Sequence, residues 1–178
     1  MTPGNRSGKV KIRKYRDTDY KVGRELWVEL VQYHMDIYKT AFSSGSQMGH
    51  GFDEYLKNPD RRGTWVAESD GQVIGLGGLL VSGTEHGEVE PMVVSEKFRG
   101  KGVSRALMNR IVAEAEKAGV RFLSVRPGAR NKRAISAYFT LGFKNVWTVQ
   151  LIRELNPPPG RKIRWLPGLK IHDINLSY

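Results

Sequence analysis

An apolar run, Met92-Val93-Val94, leads through Arg99-Gly100-Lys101-Gly102-Val103-Ser104 into a helical pattern that continues from Arg105 to Ala118. A strand that feeds a helix through two glycines commits the chain to an α/β arrangement and puts the helix N-terminus at the strand end. The glycines let the backbone turn tightly and bring successive N–H groups toward an anion, and the helix adds the positive end of its dipole. Arg99 and Lys101 supply matching charge. Taken alone, the segment suits a diphosphate, and equally an ordinary strand-to-helix turn with solvated basic residues. Its spacing excludes the two best-known phosphate loops: there is no G-x-x-x-x-G-K-[ST] and no G-x-G-x-x-G followed by an acid after a second strand.

Around this turn the chain reads as one α/β unit without internal repeats. Residues 1–8 are polar and predicted flexible. Val10, Ile12 and Tyr15 mark a first strand, and Arg16 to Asp19 carries the Asp/Thr content of a helix start. Val22, Leu26, Leu30, Tyr33 and Ile37 recur at steps of three and four, which predicts an amphipathic helix over Tyr20 to Tyr38. A Gly/Ser-rich loop, Ala41 to Gly51, precedes a short helix over Phe52 to Leu56 that stops before Asn58-Pro59. Trp65 to Glu68 and Val73 to Val81 are strands joined at Asp70-Gly71, a hairpin signal. Gly75, Gly77 and Gly78 inside the second of them mark a bulge or a close backbone approach.

Glu88 to Val94 is the next strand, and alternation puts Glu88, Glu90, Met92 and Val94 on one face. Pro91 lacks an N–H, so ladder pairing is expected to break there. Gly119 caps the following helix. Val120 to Val125 then reads as a buried strand, Asn131 to Thr140 as a helix ended near Gly142, and Phe143 to Leu155 as the last long strand or strands.

Several function classes are set aside by composition. The chain has 178 residues and no cysteine, which removes disulfides, thiolate metal sites and a cysteine nucleophile. The four histidines, His34, His50, His86 and His172, lack metal-ligand spacing, so no metal is expected. No apolar run approaches the ~20 residues of a membrane span, and the first residues lack the apolar core of a signal peptide; a cytoplasmic protein is expected. The net charge of +11 suits a polyanion, but the basic residues are dispersed as on a solvated surface, so nucleic acid is not the expected partner.

The glycine turn resembles the R-x-x-G-x-G/A signature of the GNAT superfamily of N-acetyltransferases, with Arg99, Gly102 and Ser104 in the defining positions; serine departs from the usual Gly or Ala and is small enough to fit. A second stretch, Asn131 to Phe143, is similar to the family's N-x-x-A-x-x-x-Y-x-x-x-G-F segment. By itself Tyr138 reads as a core aromatic on the face of Ala134, Ile135 and Leu141. The resemblance gives Asn131 a contact with acetyl-coenzyme A and sets the Tyr138 hydroxyl near the thioester sulfur. Glu88 to Val94 is similar to an E-x-x-P-hydrophobic-V-V pattern of the family's aminoglycoside 6′-N-acetyltransferases. That likeness implies a thioester-facing N–H at Met92 and pantetheine held by the backbone of Val94 with Val93 alongside, while the R-x-x-G-x-G/A resemblance implies the diphosphate of acetyl-CoA over Arg99, Gly100, Lys101, Gly102, Val103 and Ser104.

The implied fold is a mixed, mostly antiparallel twisted sheet flanked by helices and splayed between strands 4 and 5. The implied activity is acetyl transfer to a primary amine within a ternary complex. Because a protonated amine is not a nucleophile at neutral pH, a base is needed, and Glu90 or Glu88 stands ready on the strand. The acceptor is not legible; the helix from Glu25 to Asp36 and its loop resemble the acceptor-side region of small members of the family, and Asp36, Asp53 and Glu54 are acids suited to attract a cationic acceptor. A domain over 9–156 and an extension over 157–178, apolar enough to dock on the domain or on a second copy in a homodimer, complete the expectation. A CoA-binding sensor without catalysis, or a basic RNA-associated protein, are the alternatives.

Overall fold

The computed structural model describes residues 9–39 and 48–150. They form β1 (Lys11–Lys14), α1 (Tyr20–Tyr38), α2 (His50–Lys57), β2 (Arg61–Ser69), β3 (Gln72–Ser82), β4 (His86–Val94), α3 (Val103–Lys117), β5 (Phe122–Ser124) and α4 (Lys132–Thr140). Expectations placed on residues 1–8, most of the Gly/Ser-rich loop and the extension over 157–178 lie outside the described residues. Two compact units divide the chain, Met1–Val31 with Ser44–Val125 and Gln32–Ser43 with Arg126–Tyr178.

The first unit holds a five-stranded sheet in the order β1-β2-β3-β4-β5. All pairs are antiparallel except β4 with β5. Asp70 and Gly71, both at positive φ (50° and 76°), make the two-residue hairpin between β2 and β3. On one side of the sheet α3 buries Val103, Leu107, Met108, Ile111 and Ala115. It packs against Gly75 and Gly77: a Cβ at Gly77 would stand 2.9 Å from Ile111 Cδ1. On the other side Leu26, Phe52, Tyr55, Val66, Leu76 and Val93 form a continuous core. The Arg13 fork ties β1 to its surroundings, gripping both Asp19 oxygens at 2.7 and 2.9 Å and Glu68 at 2.7 Å.

One irregularity in β4 changes the sequence reading. Leu79 pairs with Val89 and Gly77 with Met92, so Gly78 alone faces both Glu90 and Pro91. This is a β-bulge, and the extra residue resets the alternation. Met92 and Val94 therefore join Val89 on the α3 side, whereas Glu88, opposite Leu80, shares the other side with Val93, opposite Leu76. The expected common face of Glu88, Glu90, Met92 and Val94 is thus split.

Other expectations are corrected in extent. The short helix begins at His50, inside the Gly/Ser-rich loop, and runs to Lys57. The stretch Arg16 to Asp19 forms a 3-10 turn over Asp17–Asp19 ahead of α1. The strand expected over Val120 to Val125 shrinks to Phe122–Ser124 and is not buried; Phe122 is 39% exposed, because only three residue pairs join it to β4. Residues 143–150 form no strand, and Val146, Trp147 and Val149 are exposed.

In the second unit, Asn131 caps α4 by accepting the Ala134 N–H at 3.0 Å. The helix ends at Gly142 (φ 105°), where the Phe143 N–H reaches the Tyr138 carbonyl at 3.1 Å and the two rings meet edge to face at 5.9 Å. That is a Schellman closure with its apolar contact. The Tyr38 hydroxyl accepts the Arg130 N–H at 3.3 Å and packs on Gly128, where a Cβ would lie 2.9 Å from it.

Candidate active site

The site of the first unit is built on β4. Pairing with β5 stops at Glu88, so β4 from Val89 to Val94 has no strand beside it on that edge among the described residues. On the β3 edge the Ser95 N–H bonds the Ile74 carbonyl at 2.9 Å. Antiparallel ladders alternate, so Val93 exchanges bonds with Leu76, while the N–H and carbonyl groups of Met92 and Val94 turn away from β3. Two backbone amides are thereby presented along an open strand edge. Val93 has its own amide in the ladder and its side chain in the core, 3% exposed.

The strand leads directly into the glycine turn. Gly100 and Gly102 sit at φ 76° and 80°, and a Cβ on either would meet nothing within 4 Å. Gly102 is the N-cap of α3 and offers no side-chain cap, which leaves the first N–H groups of the helix, at Val103 and Ser104, to an outside acceptor. Lys101 Nζ stands 5.2 Å over the Phe98 ring. These features fit a diphosphate.

Arg99 does something different from what its charge implies. Its Nε donates to the Val94 carbonyl at 2.9 Å and its Nη2 to Glu29 Oε1 at 2.9 Å. The same Glu29 oxygen accepts the Glu96 N–H at 2.7 Å. Arg99 thus ties the end of β4 to α1 and holds the turn in place. Nothing in the sequence marked Glu29, which sits in a helix with other acids.

Glu88 and Glu90 lie on the side of α2. There the Tyr55 hydroxyl shares a 2.7 Å hydrogen bond with Thr64 Oγ1 and closes over Gly78 together with the Glu90 carbonyl; a Cβ at Gly78 would overlap both. Burial, with the Glu90 carboxylate adding to it and Arg61 opposing, pushes the Tyr55 hydroxyl up to about 12. Sequence reasoning missed Tyr55 and Thr64; the triple glycine of β3 was the available signal. In the second unit burial also pushes the Tyr138 hydroxyl up to about 12, so it is protonated at neutral pH. Asn131 is buried at 5% exposure with its oxygen committed to the cap. Among the described residues no cluster of three or more His, Asp or Glu is arranged for a metal, and no helix is long and apolar enough to cross a membrane.

A mixed sheet that parts between a parallel pair of strands, with a glycine turn and an uncapped helix at the end of the parted strand, defines the class of this α/β protein by its fold. The family model described as Acetyltransferase (GNAT) family matches residues 27–143, and the chain belongs to that family. It is 31% identical over 129 residues to an uncharacterized N-acetyltransferase of Bacillus subtilis, covering 71% of this chain and 83% of the relative. A relative from Methanocaldococcus jannaschii, also an uncharacterized N-acetyltransferase, is 31% identical over 97 residues, but there the match takes in 51% of this chain and 43% of the relative. The chain thus spans less than half the length of that relative. Among solved structures, an aminoglycoside N-acetyltransferase in complex with CoA superposes with a TM-score of 0.62 at 18% identity, over 86% of this chain and 99% of that one.

Proposed function

We propose that the protein is an acetyl-CoA-dependent N-acetyltransferase that passes the acetyl group directly to a primary amine in a ternary complex. The observation that carries this reading is the open edge of β4. The amides of Met92 and Val94 turn outward where β5 pairing has ended, and the strand runs into a glycine turn with an uncapped helix. An extended chain ending in a diphosphate matches that edge, and the family resemblance assigns Asn131 a further contact with acetyl-CoA. Acetyl-CoA supplies an activated acyl carbon.

The residues of this chain perform the remaining tasks. Glu90, or Glu88 beside it, takes the proton from the ammonium, directly or through water, and frees the nitrogen lone pair. The C–N bond forms as the C–S bond breaks, and the Met92 N–H offsets the negative charge that builds on the carbonyl oxygen. One such donor contributes about 3 kcal/mol. The thiolate leaves unprotonated or with help from the Tyr138 hydroxyl, and the second nitrogen proton, released as the amide forms, passes to the sulfur or to solvent. No covalent intermediate with the protein is needed.

The test is calorimetric titration with acetyl-CoA, followed by thiol release against a panel of amines. Expected are saturable binding, release with at least one acceptor, and a drop of about 100-fold or more in kcat for Tyr138→Phe with binding of acetyl-CoA retained. Binding without release from any acceptor would point to a sensor, and absence of binding would end the reading.

A further inference from the structure

We infer that the acceptor is an amine that carries a carboxylate on the same small molecule, an amino acid in its simplest form, with Arg61 reading the carboxylate. This rests on the acetyl-transfer reading and names its substrate class.

The geometry is a row across the sheet. Arg61 on β2 pairs with Leu80 on β3, and Leu80 pairs with Glu88 on β4. Directly opposed residues share a face, so Arg61 and Glu88 stand on either side of the half-buried Leu80 on the face of the sheet that also carries Tyr55. Two strand spacings separate their Cα atoms by about 10 Å, a span of the order of two side-chain tips and one small molecule. Arg61 is steadied by Thr64, Nη1 to Oγ1 at 3.4 Å, and Thr64 holds the Tyr55 hydroxyl that closes over the bulge beside Glu90. A hydrogen-bonded unit of Arg61, Thr64 and Tyr55 therefore reaches from β2 to the bulge, where the Tyr55 hydroxyl and the Glu90 carbonyl both lie over Gly78.

Charge supplies the reason for a ligand. Arg61 is half-buried, yet among the described residues no carboxylate lies within ion-pair distance of it. A partly desolvated guanidinium gains most from a planar carboxylate, which its fork binds in two places. The net charge of +11 acts in the same direction, since it draws acceptors with a negative group and repels polyamines. An amino acid placed with its carboxylate at Arg61 lays its side chain over Leu80 and turns its ammonium toward Glu88 and Glu90.

The experiment uses the full chain with acetyl-CoA and a panel of L-amino acids, each set against its own amide, followed by thiol release. Binding of the same pairs to the CoA-loaded protein is measured by calorimetry. The acid is expected to exceed its amide at least tenfold in kcat/KM for one or more pairs. Arg61→Gln should reduce that acid-to-amide ratio about tenfold and Arg61→Lys should restore part of it; the ratio is insensitive to a general loss of folded protein. Amides used as well as acids, or a ratio untouched by Arg61→Gln, would overturn the inference and leave acetyl transfer standing. Binding of acids that depends on Arg61 without thiol release would support the site and sink the transfer reading. Neither binding nor release of any acid would overturn the inference.

Discussion

Replacing Gly78 by alanine tests the geometry on which the β4 bulge depends. The added methyl would overlap the Tyr55 hydroxyl and the Glu90 carbonyl and would stand 2.8 Å from Tyr55 Cζ. Neither neighbour yields easily. The carbonyl belongs to the bulged backbone, and the Tyr55 ring, 5% exposed, is wedged between Trp27 and Phe52 with ring centroids 5.9 and 6.2 Å away. Overpacking of this kind costs about 1–3 kcal/mol. Moving the ring also breaks the 2.7 Å bond to Thr64 between two buried hydroxyls, adding about 1 kcal/mol. A total loss of about 2–4 kcal/mol is expected from the two terms, read from urea unfolding followed by tryptophan fluorescence. Tyr55→Phe in the same background removes one of the two overlaps and should recover about 1 kcal/mol relative to additivity. An alanine variant within about 0.5 kcal/mol of the parent, the range of an ordinary surface change, would refute the reasoning, because it would mean that Tyr55 and Glu90 do not close over this glycine.

Two further predictions concern the charged contacts that frame the sheet. The hydrogen bond from Arg13 holds the Asp19 carboxyl below its usual range, so its stabilisation is complete above the unfolded pKa of about 3.9 and is lost as pH falls through the lower folded value. Asp19→Asn should therefore destabilise the protein by about 2 kcal/mol at pH 7, with the difference between variant and parent shrinking as urea midpoints are followed below pH 4. Glu29→Gln keeps the size of the side chain but weakens its grip on Arg99 and the Glu96 N–H. The expected result is a rise of about tenfold in KM for acetyl-CoA, with a smaller change for the amine, since a hydrogen bond to a charged group is worth about 1.5–3 kcal/mol and the neutral amide keeps part of it; equal effects on both substrates would contradict a role confined to the turn.

Local chemistry made most of the elements legible. The period of Val22, Leu26, Leu30, Tyr33 and Ile37 marked α1, and Asp70-Gly71, Gly102, Gly119 and Gly142 all occupy the positive-φ positions that turns and caps require. What escaped depends on partners distant in sequence. The faces of β4 cannot be read from β4 alone, because the residue count on β3 decides where the bulge falls. Residues 143–150 carry a strand-like composition, but strands form only where a neighbouring edge accepts them. Tyr55, Thr64 and Glu29 lay hidden for the same reason: each acts through a contact with another element, and their spacing in the sequence resembles nothing.

Arg99 shows how a motif can be recognised for one reason and work for another. Its charge, beside two glycines and a helix N-terminus, invites the assignment of a phosphate contact, yet its Nε is bound to the Val94 carbonyl and its Nη2 to Glu29. A guanidinium already facing a carboxylate at 2.9 Å adds little net field at the turn. The capacity to hold a diphosphate there then rests on the uncapped amides of α3, on its dipole and on Lys101. It follows that Lys101→Ala should make binding of acetyl-CoA less sensitive to salt, whereas Arg99→Ala should act mainly through the backbone it supports. By the same logic Arg61 on β2, rather than the arginine of the motif, is a half-buried cation with no ion-paired carboxylate among the described residues, and the proposed reading divides the work accordingly: backbone amides for the cofactor's phosphates, a side-chain charge for the acceptor.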